Sequence, residues 1–181
     1  MIIDTGTPRG FRFIHDIRRW VIQKPRTEAN ILAPCPHHGK CPLSDKGSWC
    51  HFDQPMGVYP NSVFPKAKRE ETIFYEKFSY LIIKKGEVKS EQKKDEIEEL
   101  PAFEKSYEWG RIVRPIMTKA KHKIIDICNK DAELERYVVA RSHEGGIYKE
   151  TKKLRWGDLW RYGMRIPNRF RKESLKGKRL W

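Results

Sequence analysis

Residues 1–33 change from extended to helical spacing of their apolar residues and back. Residues 1–4 are short and apolar, and Thr7-Pro8 then gives a helix N-cap residue followed by proline at the first helical position. Five apolar residues recur at three- and four-residue steps, on one helical face: Phe13, Ile14, Ile17, Trp20 and Val21. The helix should stop by Pro25, and residues 29–33 are again strand-like. Residues 1–33 are therefore predicted to form a strand-helix-strand unit of a parallel sheet.

Proline dominates the next segment, residues 34–65, which holds six of the eleven prolines of the chain. They are Pro34, Pro36, Pro42, Pro55, Pro60 and Pro65. Because proline removes backbone donors and fixes φ, this density excludes regular helix and central sheet. The segment should therefore be ordered by something else, such as a bound metal, and we predict an insertion over 34–65.

Strand-like patterns return over residues 66–147. The first is a compact aromatic and β-branched run from Phe74 to Lys84. Residues 86–99 are acidic and lysine-rich, which predicts a charged surface loop. A helix is expected from Tyr148 to Trp160, at the start of a last segment, residues 148–181.

Three further strands are predicted between the charged loop and the last segment. They are Ile112-Val113, residues 123–128 and residues 134–140. The last two alternate well and flank Asn129-Lys130-Asp131, so they should form an antiparallel pair.

The net charge of the chain gives information about its binding partners. Thirty-eight Lys and Arg oppose 24 Asp and Glu, a formal net charge of +14. Such a charge repels itself unless a polyanion is near, and nucleic acid is the usual partner, although a merely soluble basic protein would have the same net charge. With a mean hydropathy of -0.78 and no apolar run of bilayer length, we expect no membrane association. No signal peptide is visible, so we do not expect secretion.

Much of the positive charge lies at the C-terminal end. Residues 151–181 contain eleven Lys or Arg and two acidic residues, a net of +9, with tryptophan, tyrosine and phenylalanine interleaved. This pattern is typical of phosphate contacts combined with stacking on unpaired bases. The alternative is a solvated tail whose aromatic residues dock on the domain. The predicted RNA-binding residues are Lys152, Lys153, Arg155, Arg161, Arg165, Arg169, Arg171 and Lys172.

The four cysteines are candidate metal ligands. Cys35, Cys41 and Cys50 fall within sixteen residues, and Cys128 ends a predicted strand. In a chain without a signal for an oxidising compartment, such cysteines favour a metal site over disulfides. Four thiolates suit an iron-sulfur cluster or zinc equally by count.

Three histidines lie beside these cysteines in the sequence: His37, His38 and His51. Imidazole is a good zinc donor, which keeps zinc open. A histidine next to a ligand cysteine more often donates a hydrogen bond to the site or lines an RNA surface. Trp49, Phe52 and Phe78 are expected to pack around the site and keep water out.

Five sequence motifs resemble those of one protein family and occur in the same order as in that family. They are APCPHHGKCPL, WCHF, EKFSYLIIKKG, RIVRP and RWGDLW. This is the methyltransferase-like family of mitochondrial small-subunit ribosomal proteins and assembly factors, the family of methyltransferase-like protein 17. The resemblance covers about residues 3–160. It implies an α/β fold: a partial Rossmann-like methyltransferase sheet with a cysteine-rich metal-binding insertion and a basic C-terminal extension. It also implies a [4Fe-4S] cluster, whose family cysteines fall on Cys35, Cys41, Cys50 and Cys128.

One part of a methyltransferase domain is not found in the sequence. Gly6 and Gly10 have the wrong spacing for a GxGxxG turn, so S-adenosylmethionine binding is not expected in this chain alone. Residues 1–33 resemble the C-terminal part of such a domain. The chain could be a fragment, could have lost the cofactor-binding half, or could receive it from a separate chain, which we favour because the first strand would otherwise be an unpaired edge.

The resemblance and the charge together predict a non-catalytic component or assembly factor of the mitochondrial small ribosomal subunit, located in the matrix. Its expected partners are small-subunit rRNA and mitochondrial ribosomal proteins. Two alternatives stay open: half of a split S-adenosylmethionine-dependent RNA methyltransferase, and a zinc-dependent RNA-binding module.

Overall fold

The computed structural model describes residues 1–23, 29–44, 47–56, 74–86, 109–142 and 146–161, together with the backbone of 171–172. In chain order its elements are β1 (Ile2–Thr5), α1 (Pro8–Gln23), β2 (Ala29–Ala33), β3 (Phe52–Met56), β4 (Phe74–Lys85), β5 (Gly110–Ile112), β6 (Met117–Thr118), β7 (His122–Cys128), β8 (Leu134–Ala140), α2 (Ile147–Glu150), β9 (Leu159–Trp160) and β10 (Arg171–Lys172). Most of the predicted charged loop, from residue 87 onward, lies outside the described residues.

The first sheet is built around the long strand β4. Strand β1 pairs with it antiparallel, with Ile2 opposite Leu81, and β2 pairs with it antiparallel, with Ile31 opposite Ile83. β1 and β2 therefore run in the same direction but are separated by β4. The strand-helix-strand unit is confirmed, whereas the parallel sheet predicted for it is wrong, because both strands pair antiparallel with a strand from later in the chain.

Helix α1 packs on this sheet through an apolar face that contains one arginine. Ile14 and Val21 are buried with Ile31 and Leu81 in one core cluster. Thr7 begins the helix as predicted, since its Oγ1 accepts a hydrogen bond from the Gly10 backbone at 3.2 Å. Two residues predicted on the apolar face, Phe13 and Trp20, are instead each 53% exposed.

The proline-rich segment contributes one strand to the first sheet. β3 pairs with β4 antiparallel, with Pro55 opposite Tyr75 and Phe52 opposite Phe78. Among the described strands it pairs with β4 alone, so Pro55 sits in an edge strand, where a missing N–H is tolerated. This agrees with the exclusion of central sheet from the segment.

The second sheet has the strand order β10-β8-β7-β5-β9, with β6 also pairing with β7. The predicted antiparallel pair is confirmed: β7 and β8 pair from His122 opposite Ala140 to Cys128 opposite Leu134. Its core cluster comprises Ile112, Ile125, Ile127, Tyr137, Val139, Ile147, Tyr148 and Trp160. Every strand pair within the described residues is antiparallel.

The helix predicted from Tyr148 to Trp160 is wrong beyond its first turn. Helix α2 ends at Glu150, and the chain then turns back along β5, where the Gly157 N–H donates to the Ile112 carbonyl and the Ile112 N–H donates to the Asp158 carbonyl. Gly157 has a φ of 93°, which favours glycine and ends helical geometry. The segment gains strand β9 on the second sheet in place of helical hydrogen bonds.

A buried ion network lies on the second sheet. Asp126, 3% exposed, accepts hydrogen bonds from Arg136 at 2.6 and 2.8 Å and from Arg114 at 3.1 Å. The carboxylate of Asp126 raises the pKa of Arg136, and burial lowers the pKa of Arg114. One buried carboxylate is thus shared by two guanidinium groups.

The structure shows a sheet-dominated α/β protein built from antiparallel sheets. The Rossmann-like relationship and the segment boundaries at residues 33, 65 and 147 stay predictions. In the described ranges, no helix has the length and apolar character needed to cross a bilayer.

Candidate metal centre

All four cysteines line one cavity of about 40 Å³ between the two sheets. Cys35 follows β2, Cys41 and Cys50 lie in the loop that leads to β3, and Cys128 ends β7. Cys41 and Cys128 pack in one core cluster with Leu43, while Cys35 packs against the cluster under α1. The fold thus brings together the four residues predicted as ligands, across 93 residues of sequence separation between Cys35 and Cys128.

None of the four cysteines forms a disulfide, and their thiols lie in a desolvated environment. Burial raises the pKa of Cys35 to about 11, and burial raises the pKa values of Cys50 and Cys128 well above the ordinary range. Each of these groups is also shifted by charges on neighbouring cysteines of the set, which shows that the thiols act on one another. In the absence of a bound cation, these cysteines are therefore protonated thiols.

Arg18 is the buried cation of this cavity. It projects from α1, is 4% exposed and lines the cavity. Its Nη2 donates to the carbonyl oxygens of Gly39 at 2.7 Å and His37 at 3.0 Å, which holds the cysteine loop against the helix. Both the charge of Arg18 and a hydrogen bond from it oppose the rise in the Cys35 pKa.

His37 connects Arg18 to Cys128. The His37 Nδ1 lies 3.3 Å from Arg18 Nη2, and its Nε2 lies 3.2 Å from Cys128 Sγ. Burial, and then the charge of Arg18, lower the His37 pKa to about 4, so the ring is neutral near pH 7. When Nδ1 accepts from Arg18, Nε2 carries the proton and donates it toward sulfur. The expected hydrogen-bonding role beside a ligand cysteine therefore applies to His37.

The other two histidines do not line the cavity. His38 Nε2 accepts a hydrogen bond from the Ile31 backbone at 3.3 Å. His51 stacks on Trp49 and meets the edge of Trp156, with ring centroids 5.3 and 4.6 Å apart. Both positions give the imidazole a packing or hydrogen-bonding role within the described fold.

Arg111 joins the cysteine loop to the second sheet. It lies on β5 opposite Cys128, and its guanidinium donates from Nε to the Pro34 carbonyl at 2.9 Å and from Nη1 to the Gly157 carbonyl at 2.8 Å. Its positive charge lowers the pKa values of Cys35, Cys50 and Cys128 against the larger effect of burial. Arg18 and Arg111 therefore both place positive charge at this cavity.

An aromatic wall closes the site on the side of β3 and β4. Phe52 and Tyr80 line the cavity, and their ring centroids are 5.3 Å apart. Phe78 lies 6.2 Å from Phe52, and Trp49 Nε1 donates to the Gly6 carbonyl at 2.8 Å, outside the cavity lining. The expected packing of Phe52 and Phe78 around the site agrees with these contacts.

Within the described ranges, no three His, Cys, Asp or Glu side chains come close enough together to hold a single metal ion. The chemistry of the cavity nevertheless suits a thiolate-bound metal group. It offers four sulfur donors, two arginines and a mostly apolar lining. Four thiolates are the donor set of an iron-sulfur cluster and also of a structural zinc ion.

The predicted RNA-binding residues follow α2 and flank β9. Lys152, Lys153, Arg155 and Arg161 are exposed. The backbone of Arg171 and Lys172 pairs with β8 as strand β10. Arg165 and Arg169 lie outside the described residues.

Sequence reasoning did not single out Arg18 or Arg111. A signal for Arg18 exists: Ile14, Arg18 and Val21 stand at i, i+4 and i+7 on α1, so a charged residue occupies the buried face of an amphipathic helix. No comparable pattern marks Arg111, because it depends on the pairing of β5 with β7.

The fold and the cavity together define a sheet-dominated α/β protein with a cysteine-lined internal site. Residues 1–161 match the family model described as mitochondrial small ribosomal subunit Rsm22. The chain belongs to this family, which confirms the resemblance found in its sequence motifs. The mitochondrial localisation predicted from that resemblance is confirmed by the same family and by the names of its members.

Two relatives of Schizosaccharomyces pombe, Rsm22-cox11 tandem proteins 1 and 2, mitochondrial, are each 30% identical to the chain over 181 residues. Each alignment covers 88% of this chain and 24% of the relative. The Saccharomyces cerevisiae ribosome assembly protein RSM22, mitochondrial, is 26% identical over 178 residues, covering 72% of this chain and 28% of the relative. The chain thus spans about a quarter of the length of the curated relatives it matches.

Proposed function

We propose that the chain is a non-catalytic component or assembly factor of the mitochondrial small ribosomal subunit, carrying a structural [4Fe-4S] cluster on Cys35, Cys41, Cys50 and Cys128. The observation that carries this proposal is the meeting of all four thiols at one cavity in a chain of the Rsm22 family. Zinc is the alternative metal, because four thiolates suit zinc or an iron-sulfur cluster equally by count.

The bound cluster would supply a covalent brace between the cysteine loop and β7. The loop alone makes few backbone hydrogen bonds, so the free energy of metal binding would contribute directly to its folding. Arg18 and Arg111 would offset the negative charge of four thiolates, and Phe52 and Tyr80 would limit access of water. The protein groups thus hold, orient and shield the group, and no catalytic step is assigned to them.

Small-subunit rRNA and mitochondrial ribosomal proteins are the proposed partners. The formal charge of +14 and the exposed Lys152, Lys153, Arg155 and Arg161 favour contacts with phosphates. Such contacts position a protein on RNA without reading its sequence.

A further polypeptide segment is proposed to cover the outer side of β1 and α1. Ile3, Phe13 and Trp20 are 56%, 53% and 53% exposed, and Phe13 and Trp20 lie two turns apart on one helical face. Large exposed apolar side chains of this kind mark interaction sites. The relatives are about four times longer than the matched region, so the covering segment would belong to the part of the family that this chain does not match.

Anaerobic purification of the chain with its native partners tests the cluster. We expect a brown protein with a broad visible shoulder from thiolate-to-iron charge transfer, and iron and acid-labile sulfide in equal amounts. A colourless protein with stoichiometric zinc would refute the cluster. S-adenosylmethionine bound at a shared interface would instead support the split methyltransferase.

Subunit association is tested separately, by comparing the amount of chain on small-subunit particles in cells with and without cluster biogenesis. We expect association to fall when clusters are not made. Unchanged association would contradict a structural role of the cluster in assembly.

A further inference from the structure

We propose that Arg18 is a positioning residue of the metal centre, which links Cys35 to Cys128 and donates an N–H from Nε to a sulfur atom of the bound group. This inference rests on the proposed cluster. It concerns the stability and reduction potential of the group, which the family assignment leaves open.

The first observation is an orphaned donor. The Nε of Arg18 is buried without a hydrogen-bond partner, although the side chain is 96% buried and lines the cavity of the four thiols. A buried N–H without an acceptor gives up its hydrogen bond to water without replacement, and the cost is greater for a charged group. A sulfur of a cluster bound in the cavity would provide the missing acceptor.

The second observation is an uncompensated charge. Within the described residues no carboxylate forms an ion pair with Arg18, although Arg114 and Arg136 share Asp126. A buried cation is strongly unfavourable unless an anion lies close by. Four cysteine thiolates around a cluster give the cavity net negative charge, so the bound centre would be the counterion of Arg18.

The third observation is that Arg18 reaches both ends of the cysteine set. Arg18 and Cys35 line the same cavity, and through His37 Arg18 reaches Cys128, with contacts of 3.3 and 3.2 Å along that path. The same guanidinium holds the loop carbonyls of His37 and Gly39. One side chain therefore connects α1, the cysteine loop and β7.

The test compares R18M and R18K with the matched control R19M, all purified anaerobically with native partners. Arg19 is exposed on the same helix and lies 3.7 Å from Asp16. For R18M we expect a more negative reduction potential, because a positive charge and a hydrogen bond to sulfur both favour the reduced cluster. We also expect roughly 10-fold faster loss of iron to a chelator, the scale seen when a group that orients a metal ligand is removed.

R18K keeps the charge and lacks the planar fork of five donors. Its potential should stay closer to that of the wild type, while its cluster should bleach faster. R19M should match the wild type in both measurements. If R18M fails to fold, R18K still decides the outcome, because a wild-type bleaching rate in R18K would overturn the inference.

The outcomes separate this inference from the proposed function. A wild-type protein without iron would refute the cluster itself. A brown wild-type protein whose R18M variant keeps the same potential and the same rate of iron loss would leave the cluster standing and refute the role of Arg18.

Discussion

Arg111 Nε donates a hydrogen bond to the carbonyl oxygen of Pro34, at a distance of 2.9 Å. This contact joins the second sheet to the residue just before Cys35, and Arg111 is also the strand partner of Cys128. The cysteine loop is therefore anchored beside the one candidate ligand that comes from the second sheet. The site is divided between a loop and a strand, and both halves should matter equally.

Replacing Cys128 by serine should be nearly as damaging as replacing Cys41, because a four-thiolate centre loses its closure from either side. Iron and sulfide content and the visible absorption after anaerobic purification measure this. Ile124→Val, on the same strand and outside the cavity lining, is the control and should retain a full complement of cluster. A C128S protein with wild-type iron content would exclude Cys128 from the ligand set.

Asp126→Asn should lower the free energy of unfolding by about 3 kcal/mol, because it removes the charge of the buried carboxylate that Arg114 and Arg136 share. Urea unfolding at low protein concentration measures the change. Asp131→Asn, at an exposed turn, is the control and should change the free energy of unfolding by less than about 0.5 kcal/mol. Equal unfolding curves for D126N and D131N would show that the network does not stabilise the fold.

RNA affinity should fall steeply with salt if the C-terminal basic residues contact phosphates. With roughly six contacts, the slope of log affinity against log salt should be about -4 to -5. Replacing Lys152, Lys153 and Arg155 together by glutamine should make this slope shallower by roughly 2 to 3 units. The control replaces Lys84, Lys119 and Lys121 together by glutamine, which removes the same amount of charge.

Deletion of residues 165–181 should weaken binding to ribosomal particles and leave the cluster intact. All four candidate ligands lie upstream, and of the described strands in the second sheet the deletion removes only the two-residue strand β10, which is separated from β7 by β8. Particle sedimentation and iron content measure the two effects in one preparation. If the deletion removed the cluster and left particle binding unchanged, the C-terminal segment would be a structural brace.

The exposed apolar residues of α1 should make the chain aggregate when it is expressed alone. Phe13→Ser with Trp20→Gln should reduce light scattering and also weaken copurification with the covering polypeptide. Met117→Ser, at an exposed apolar position on the second sheet, should affect neither. A wild-type chain that is monomeric at high concentration would contradict this expectation.

The elements that sequence patterns predicted correctly are those set by local chemistry. Thr7 and Pro8 define the start of α1, and the alternation on both sides of Asn129 defines the β7–β8 hairpin. The position of β4 between β1 and β2 could not be predicted, because apolar spacing identifies a strand without identifying its neighbours. The turn at Gly157 was missed because the aromatic residues around it fit helical spacing, whereas backbone pairing with Ile112 decides the structure.

The candidate site also has one part that the sequence predicted and one part that it did not. The cysteines were predicted as one set from residue type and spacing, and the fold brings them to one cavity. The buried role of Arg18 was not predicted, because its environment depends on carbonyl groups of a loop that has no regular pattern. Helical spacing places Arg18 on the buried face of α1, but the local sequence does not show which carbonyl groups it meets there.

The central place of β4 in the first sheet sets the order in which the site can form during synthesis. β1 and β2 have no sheet to join until residue 85 has left the ribosome, and Cys128 follows more than forty residues later. Pairing between such distant segments is slow, because loop closure must precede the contacts that stabilise it. Cys35, Cys41 and Cys50 therefore wait for the 78 residues of sequence that lead from Cys50 to Cys128, and a site that needs all four thiols could form only after β7 has emerged.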